Sequence, residues 1–164
     1  MGGLPRGSTM KRVFAIITVI ALSPAMSLAE GHDLFSNKFF STITSEEMME
    51  GKTGHIHHAT NDSLWDWTDA PDGWPKANSA KCHLSNVLSD EKKPLFGVWF
   101  CESIDPDGDV SLWSGSWNVA KKISTGHLVG GTGKYANAGP RKCNLKTLVR
   151  ISDTQKLHEC VAIK

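Results

Sequence analysis

The 164-residue sequence has no apolar run long enough to span a membrane as a helix: its longest, residues 13–22, is about half of the ~20 residues a span needs. It has no excess of charge, with 18 basic side chains against 17 acidic, so no polycationic face is written for nucleic acid or anionic lipid. No G-x-S-x-G elbow marks a nucleophile. The four cysteines are spaced 19, 42 and 17 apart with no C-x-x-C, which leaves a redox motif or zinc knuckle unsupported. Tyrosine is nearly absent, at one residue against six tryptophans, and little of the chain shows a helical period.

What is present begins with a secretory pattern. Lys11 and Arg12 precede the apolar run, and Ser27, Leu28 and Ala29 form a small-residue cleavage site, so residues 1–29 are expected to be an N-terminal extension and signal peptide cut after Ala29. Residues 30–164 then form one domain, exported to the periplasm or beyond. In that setting an even number of cysteines reads as two disulfides.

Residues 95–135 carry the strongest architectural signal. The apolar runs 82–88 and 95–102 flank the charged SDEKKP and read as a hairpin. Symmetry about Glu91 and Lys92 sets Cys82 opposite Cys101, within disulfide reach. That leaves Cys143 with Cys160, which the SDTQK connection does not place directly opposite. The DPDGD turn leads into a strand over 110–119, where alternation sets Trp113, Trp117 and Val119 on one face. Gly115 on that face marks a bend or a place where a neighbouring ring lies on the backbone.

Elsewhere the pattern is weaker. Residues 30–50 read either as a strand or as a helical turn capped by Ser45. Residues 52–60 suit a strand, and the Asp, Asn, Pro and Gly that follow suggest a long loop holding Trp65, Trp67 and Trp74. Two closing strands, 143–151 and 157–163, complete a series of short strands that argues a sandwich or closed barrel.

Cys101, the D-x-DGD turn at Asp105, Asp107, Gly108 and Asp109, and GGTGKYA from Gly130 together resemble a group of small secreted bacterial proteins with an allene oxide cyclase-like β-barrel, distantly similar to plant dirigent proteins. The resemblance covers roughly the second half of the domain. It implies an all-β chain folded as a single antiparallel β-barrel of about eight strands, here stapled by disulfides, with an interior that in the plant relatives handles hydrophobic small molecules. Where the group continues with a glycine-rich run, this chain has Ala138, Gly139 and Pro140, and Pro140 should break the strand there.

Four features carry candidate chemistry. GGTGKY fails as a phosphate loop, because Leu128 stands where the first glycine belongs and Tyr135 follows the lysine. DPDGD alternates carboxylates as a calcium loop does but has Ser116 at the twelfth position. His55 and His57 share a strand face and are the one pair spaced to hold a divalent metal, with a third ligand from elsewhere. The tryptophans Trp65, Trp67, Trp74, Trp113 and Trp117 can contact a ligand, while for Trp99, Trp113 and Trp117 filling the barrel is the favoured role. No cofactor other than that metal is suggested.

The reading these features favour is non-enzymatic binding of a small apolar molecule, in an interior cavity of several hundred Å³. Two alternatives stay open: a cyclase, isomerase or His-metal enzyme, and a module whose Trp65 to Trp74 loop binds a protein or glycan.

Overall fold

The computed structural model describes residues 35–163, so the expected signal peptide lies outside the described residues. Eight strands, β1 (Ser36–Gly51), β2 (Gly54–Asp69), β3 (Ala77–Leu88), β4 (Pro94–Ile104), β5 (Val110–Asn118), β6 (Ile123–Gly131), β7 (Lys142–Arg150) and β8 (Gln155–Ala162), form an antiparallel meander. β1 pairs with β8 from Ser36↔Val161 to Thr42↔Gln155, which closes the barrel. Closure covers the sheet edges over most of the barrel, although the end of β1 pairs only with β2, and β7 meets β6 only over residues 142–144.

Alternation decides what points inward. On β3 the buried positions are Asn78, Ala80, Cys82, Asn86 and Leu88, and on β4 they are Gly97, Cys101 and Ser103. Two expectations are corrected, the first of them by this alternation. β2 does not stop at Thr60 but runs on to Asp69, because Asn61, Ser63, Trp65 and Trp67 alternate inward with exposed Asp62, Leu64 and Asp66 between them. Trp65 and Trp67 are therefore strand residues, not loop residues. Likewise Ser45 starts no helical turn: residues 45–50 remain in β1, with a register shift between Ile43 and Ser45.

The hairpin of β3 and β4 has the expected register, Cys82 facing Cys101, and the two are bonded with Cα atoms 4.0 Å apart. Cys143 and Cys160 are also bonded, diagonally rather than directly opposed, since Leu145 faces Cys160 and Cys143 faces Ala162. Both bridges are buried inside the barrel.

β4 and β5 interlock through glycine. Gly97 faces Trp117 and Trp99 faces Gly115. A Cβ on Gly115 would lie 2.3 Å from the Trp99 ring, and one on Gly97 would lie 2.1 Å from Trp117 Nε1. Each indole occupies the space a side chain opposite would need. Val119, expected on the tryptophan face, instead follows the end of β5 and is exposed.

β6 ends at Gly131, before the break expected at Pro140, which lies in the connection to β7. A 3₁₀ turn, η1 (Gly133–Tyr135), and a short connection precede β7. The connections at 70–76, 105–109 and 132–141 all lie at one end of the barrel, the lower end, and the tight turns at 52–53, 89–93, 119–122 and 151–154 lie at the upper end.

Candidate functional site

The lower end is plugged by rings. Trp113 packs on Phe35, Trp65, Trp67 and Trp74 with ring centres 5.7 to 6.3 Å apart. Trp74 reaches from the β2–β3 connection to meet Tyr135 edge-on at 4.9 Å. Such edge-to-face contacts each add about 0.5–1.5 kcal/mol beyond their buried area. The polar edges of two of these rings are matched: Trp67 Nε1 donates to Asn78 Oδ1, Asn78 Nδ2 donates to Ser103 Oγ at 2.7 Å, and Trp113 Nε1 donates to Ser111 Oγ at 3.1 Å.

Beneath this plug the DPDGD turn and the glycine cluster meet. The Lys134 ammonium lies 2.5 Å from Asp105 Oδ2, 2.8 Å from Asp107 Oδ2 and 3.2 Å from Asp109 Oδ2. Asp105 also accepts from the Asp107 and Asp109 amides and from the Tyr135 hydroxyl. Burial alone would raise the Asp105 pKa; Lys134, the Asp109 amide, Tyr135 and the Asp107 amide outweigh it and hold the carboxyl below its ordinary value. The same carboxylates, Asp105 foremost and then Asp107, hold Lys134 protonated far above the usual lysine range. The amine thus stands among the alternating carboxylates where a calcium reading would put a metal. Two motifs that fail separately as ion sites are two halves of one ion pair.

Above the plug lies an interior cavity walled by Asn37, Phe39, Asn61, Trp65, Leu84, Trp99, Trp113, Leu145, His158 and the two disulfides, through Cys82, Cys101 and Cys160. The cavity is small, about 70 Å³. That is several times the ~10–15 Å³ one water needs and well short of the ~300–1,000 Å³ of a drug-sized pocket. The tryptophans have taken most of the space that a larger ligand would use.

His158 is the one titratable group on this wall, the wall cysteines being disulfide-bonded. Its ring stacks on Phe39 with centres 4.7 Å apart, and its nitrogens bond Ser41 Oγ at 3.2 Å and Thr147 Oγ1 at 3.1 Å. Burial, and next the charge of Lys156, lower its pKa to about 4, so the imidazole is neutral at pH 7.

The upper end is polar. Trp117 Nε1 donates to Asn86 Oδ1 at 3.1 Å, Asn86 Nδ2 lies 3.2 Å from His57 Nδ1, and His57 Nε2 lies 3.2 Å from Glu46 Oε2. His55 Nε2 instead meets the Asp90 carbonyl at 3.4 Å. His55 and His57 share the inward face as expected, yet His55 Nε2 and the two His57 nitrogens engage separate partners, and His55 Nδ1 is buried without one. Among the described residues no group of three or more His, Cys, Asp or Glu is placed to hold a metal ion.

Of the tryptophans expected at a ligand, Trp65 and Trp113 line the cavity, whereas Trp67, Trp74 and Trp117 lie outside its wall. Trp65 and Trp67 are each only 3% exposed, which leaves neither ring a surface to offer a protein or glycan. Sequence reading missed Asn37 and His158. Both were within reach of simple alternation, since Asn37 lies two residues before Phe39 on β1 and two after Phe35, and His158 is two residues from Cys160 on β8. No protein-family model matches this chain, and no curated protein matches it significantly.

Proposed function

We propose that this barrel is a non-enzymatic binding protein for one small, largely apolar molecule, held in the cavity between the tryptophan plug and the Phe39–His158 stack. The observation that carries this reading is the wall itself, built of rings, leucines and disulfides around a space that the plug leaves unfilled. Such a surface favours an apolar guest by removing its hydrocarbon from water. Binding without turnover is supported by His158, whose two nitrogens are already engaged by Ser41 and Thr147, so the wall's titratable group is not poised toward a guest. The likeness to allene oxide cyclase-like barrels, drawn from the D-x-DGD and GGTGKYA motifs, agrees with an interior site but does not transfer an activity. Export to the periplasm or beyond is supported by the pattern at residues 10–29 and by the two disulfides.

Titration of the indole-labelled protein with benzene, a small apolar probe suited to such cavities, tests the reading by NMR. Saturable movement of the Trp65, Trp99 and Trp113 indole signals is expected. Signals unmoved at saturating benzene would reject it.

A further inference from the structure

We infer that the preferred guest is neutral and carries a hydrogen-bond acceptor oxygen, such as a ketone or lactone carbonyl, on an apolar body of about one small ring; this rests on the binding reading above. The indole N–H groups carry the argument. Three of them are matched inside the fold: Trp67 with Asn78, Trp113 with Ser111 and Trp117 with Asn86. The Trp65 and Trp99 Nε1 atoms are buried and have no partner, and both residues belong to the cavity wall. Asn37, 3% exposed on the same wall, likewise has an unpartnered Oδ1.

Buried polar groups are nearly always satisfied by protein, water or ligand, because leaving one unmade is costly. Both buried indole N–H groups without a partner belong to residues of this one cavity wall, while three other indoles are matched elsewhere in the barrel; the buried His55 Nδ1 at the upper end is also without a partner. A fold that places Asn or Ser beside three indoles has no evident reason to omit a partner from the other two unless something else accepts there. An N–H donor at either indole suits an oxygen lone pair. The Asn37 carbonyl adds a place for a weak donor or a water.

Charge then narrows the class. No Lys, Arg, Asp or Glu stands on the wall, so a carboxylate guest would be buried without a counter-ion, at a cost its hydrocarbon could not recover. A polyol would bring more polar groups than two indoles and two amides can satisfy. A neutral molecule with one acceptor fits both limits.

The test uses the intact barrel and three probes of similar size: cyclopentanone, methylenecyclopentane, which replaces the carbonyl oxygen by CH₂, and cyclobutanecarboxylate. Cyclopentanone should bind about tenfold more tightly than its olefin, shift the Trp65 or Trp99 indole proton downfield, and outcompete the carboxylate. Trp99→Phe or Trp65→Phe, whichever variant folds, should lose that preference while its affinity for methylenecyclopentane is kept. Equal affinities for ketone and olefin, with benzene still bound, would mean that water alone serves the donors and would overturn this inference while leaving the binding reading intact. Tighter binding of the carboxylate would overturn neutrality. Failure of all probes, benzene included, would remove both.

Discussion

Trp99 lies flat over Gly115, the residue directly opposite it on the neighbouring strand. A methyl at Gly115 would collide with that ring at 2.3 Å and with the Thr125 carbonyl oxygen at 2.2 Å, and neither can withdraw without moving the cavity wall.

Gly115→Ala should therefore destabilise the barrel by about 1–3 kcal/mol, as overpacked interiors usually are, and should alter the Trp99 environment in near-ultraviolet circular dichroism. Gly130→Ala is the control, since nothing lies within 4 Å of a Cβ there, and it should fall within about 0.5 kcal/mol of the parent. Equal urea midpoints for the two variants would show that Trp99 is free to move.

These contacts also show what the sequence can reveal. A glycine among tryptophans on one strand face pointed to a ring on the backbone, and the hairpin's symmetry put Cys82 against Cys101, because both follow from period-two geometry within a few residues. β2 was cut short for the opposite reason: its Asp and Asn residues suggested a loop by composition, when Asp62 and Asp66 are the solvent half of an alternating strand and Asn61 is buried on the other half. The Lys134 cluster could not be seen locally. Its parts are 25 to 29 residues apart and meet only because β5 and β6 carry both turns to the lower end. The unpartnered indoles are hidden further still, since whether an N–H finds an oxygen depends on side-chain placement across three strands.

Both disulfides should resist reductant while the barrel is folded. All four cysteines are 5% exposed or less, so attack by an external thiolate needs an opening of the sheet. Thiol labelling in dithiothreitol should be slow in buffer and rise steeply across the urea transition. Replacing Cys82 and Cys101 together by alanine should cost about 2–4 kcal/mol, the usual worth of a bridge closing a loop of this length. Rapid labelling in buffer would mean that the barrel opens locally at the bridges.

Stability should fall as pH drops from neutrality toward 4. His158 has its pKa lowered from 6.5 to about 4 in the folded barrel. Between those values the unfolded chain takes up a proton that the folded chain refuses, and unfolding is favoured. Each pH unit in that window is worth up to about 1.4 kcal/mol, so the whole loss is on the order of 3 kcal/mol. It is complete near pH 4 and absent above about pH 7. His158→Gln should flatten the urea-derived stability profile in this window without changing its course below pH 4. A profile equally steep in the variant would assign the acid sensitivity to other groups.

Lys134 offers the sharpest contrast in pH behaviour. In the parent, Asp105 has a lowered pKa, so its contribution to stability is present above its unfolded value near 4 and is lost only as pH falls through the lowered folded value. Lys134→Met removes the ammonium that Asp105, Asp107 and Asp109 share and leaves the buried Asp105 carboxylate facing two others of like charge. The variant should melt well below the parent at pH 7. As pH falls toward 4 and the clustered carboxyls take up protons, their repulsion is relieved, so the gap between the two melting temperatures should narrow. Asp105→Asn combined with Lys134→Met should recover part of the loss at pH 7, because the buried charge is then gone together with its partner. A melting gap that stays constant from pH 7 to pH 4 would show that the lysine stem, rather than its charge, supports the lower end of the barrel.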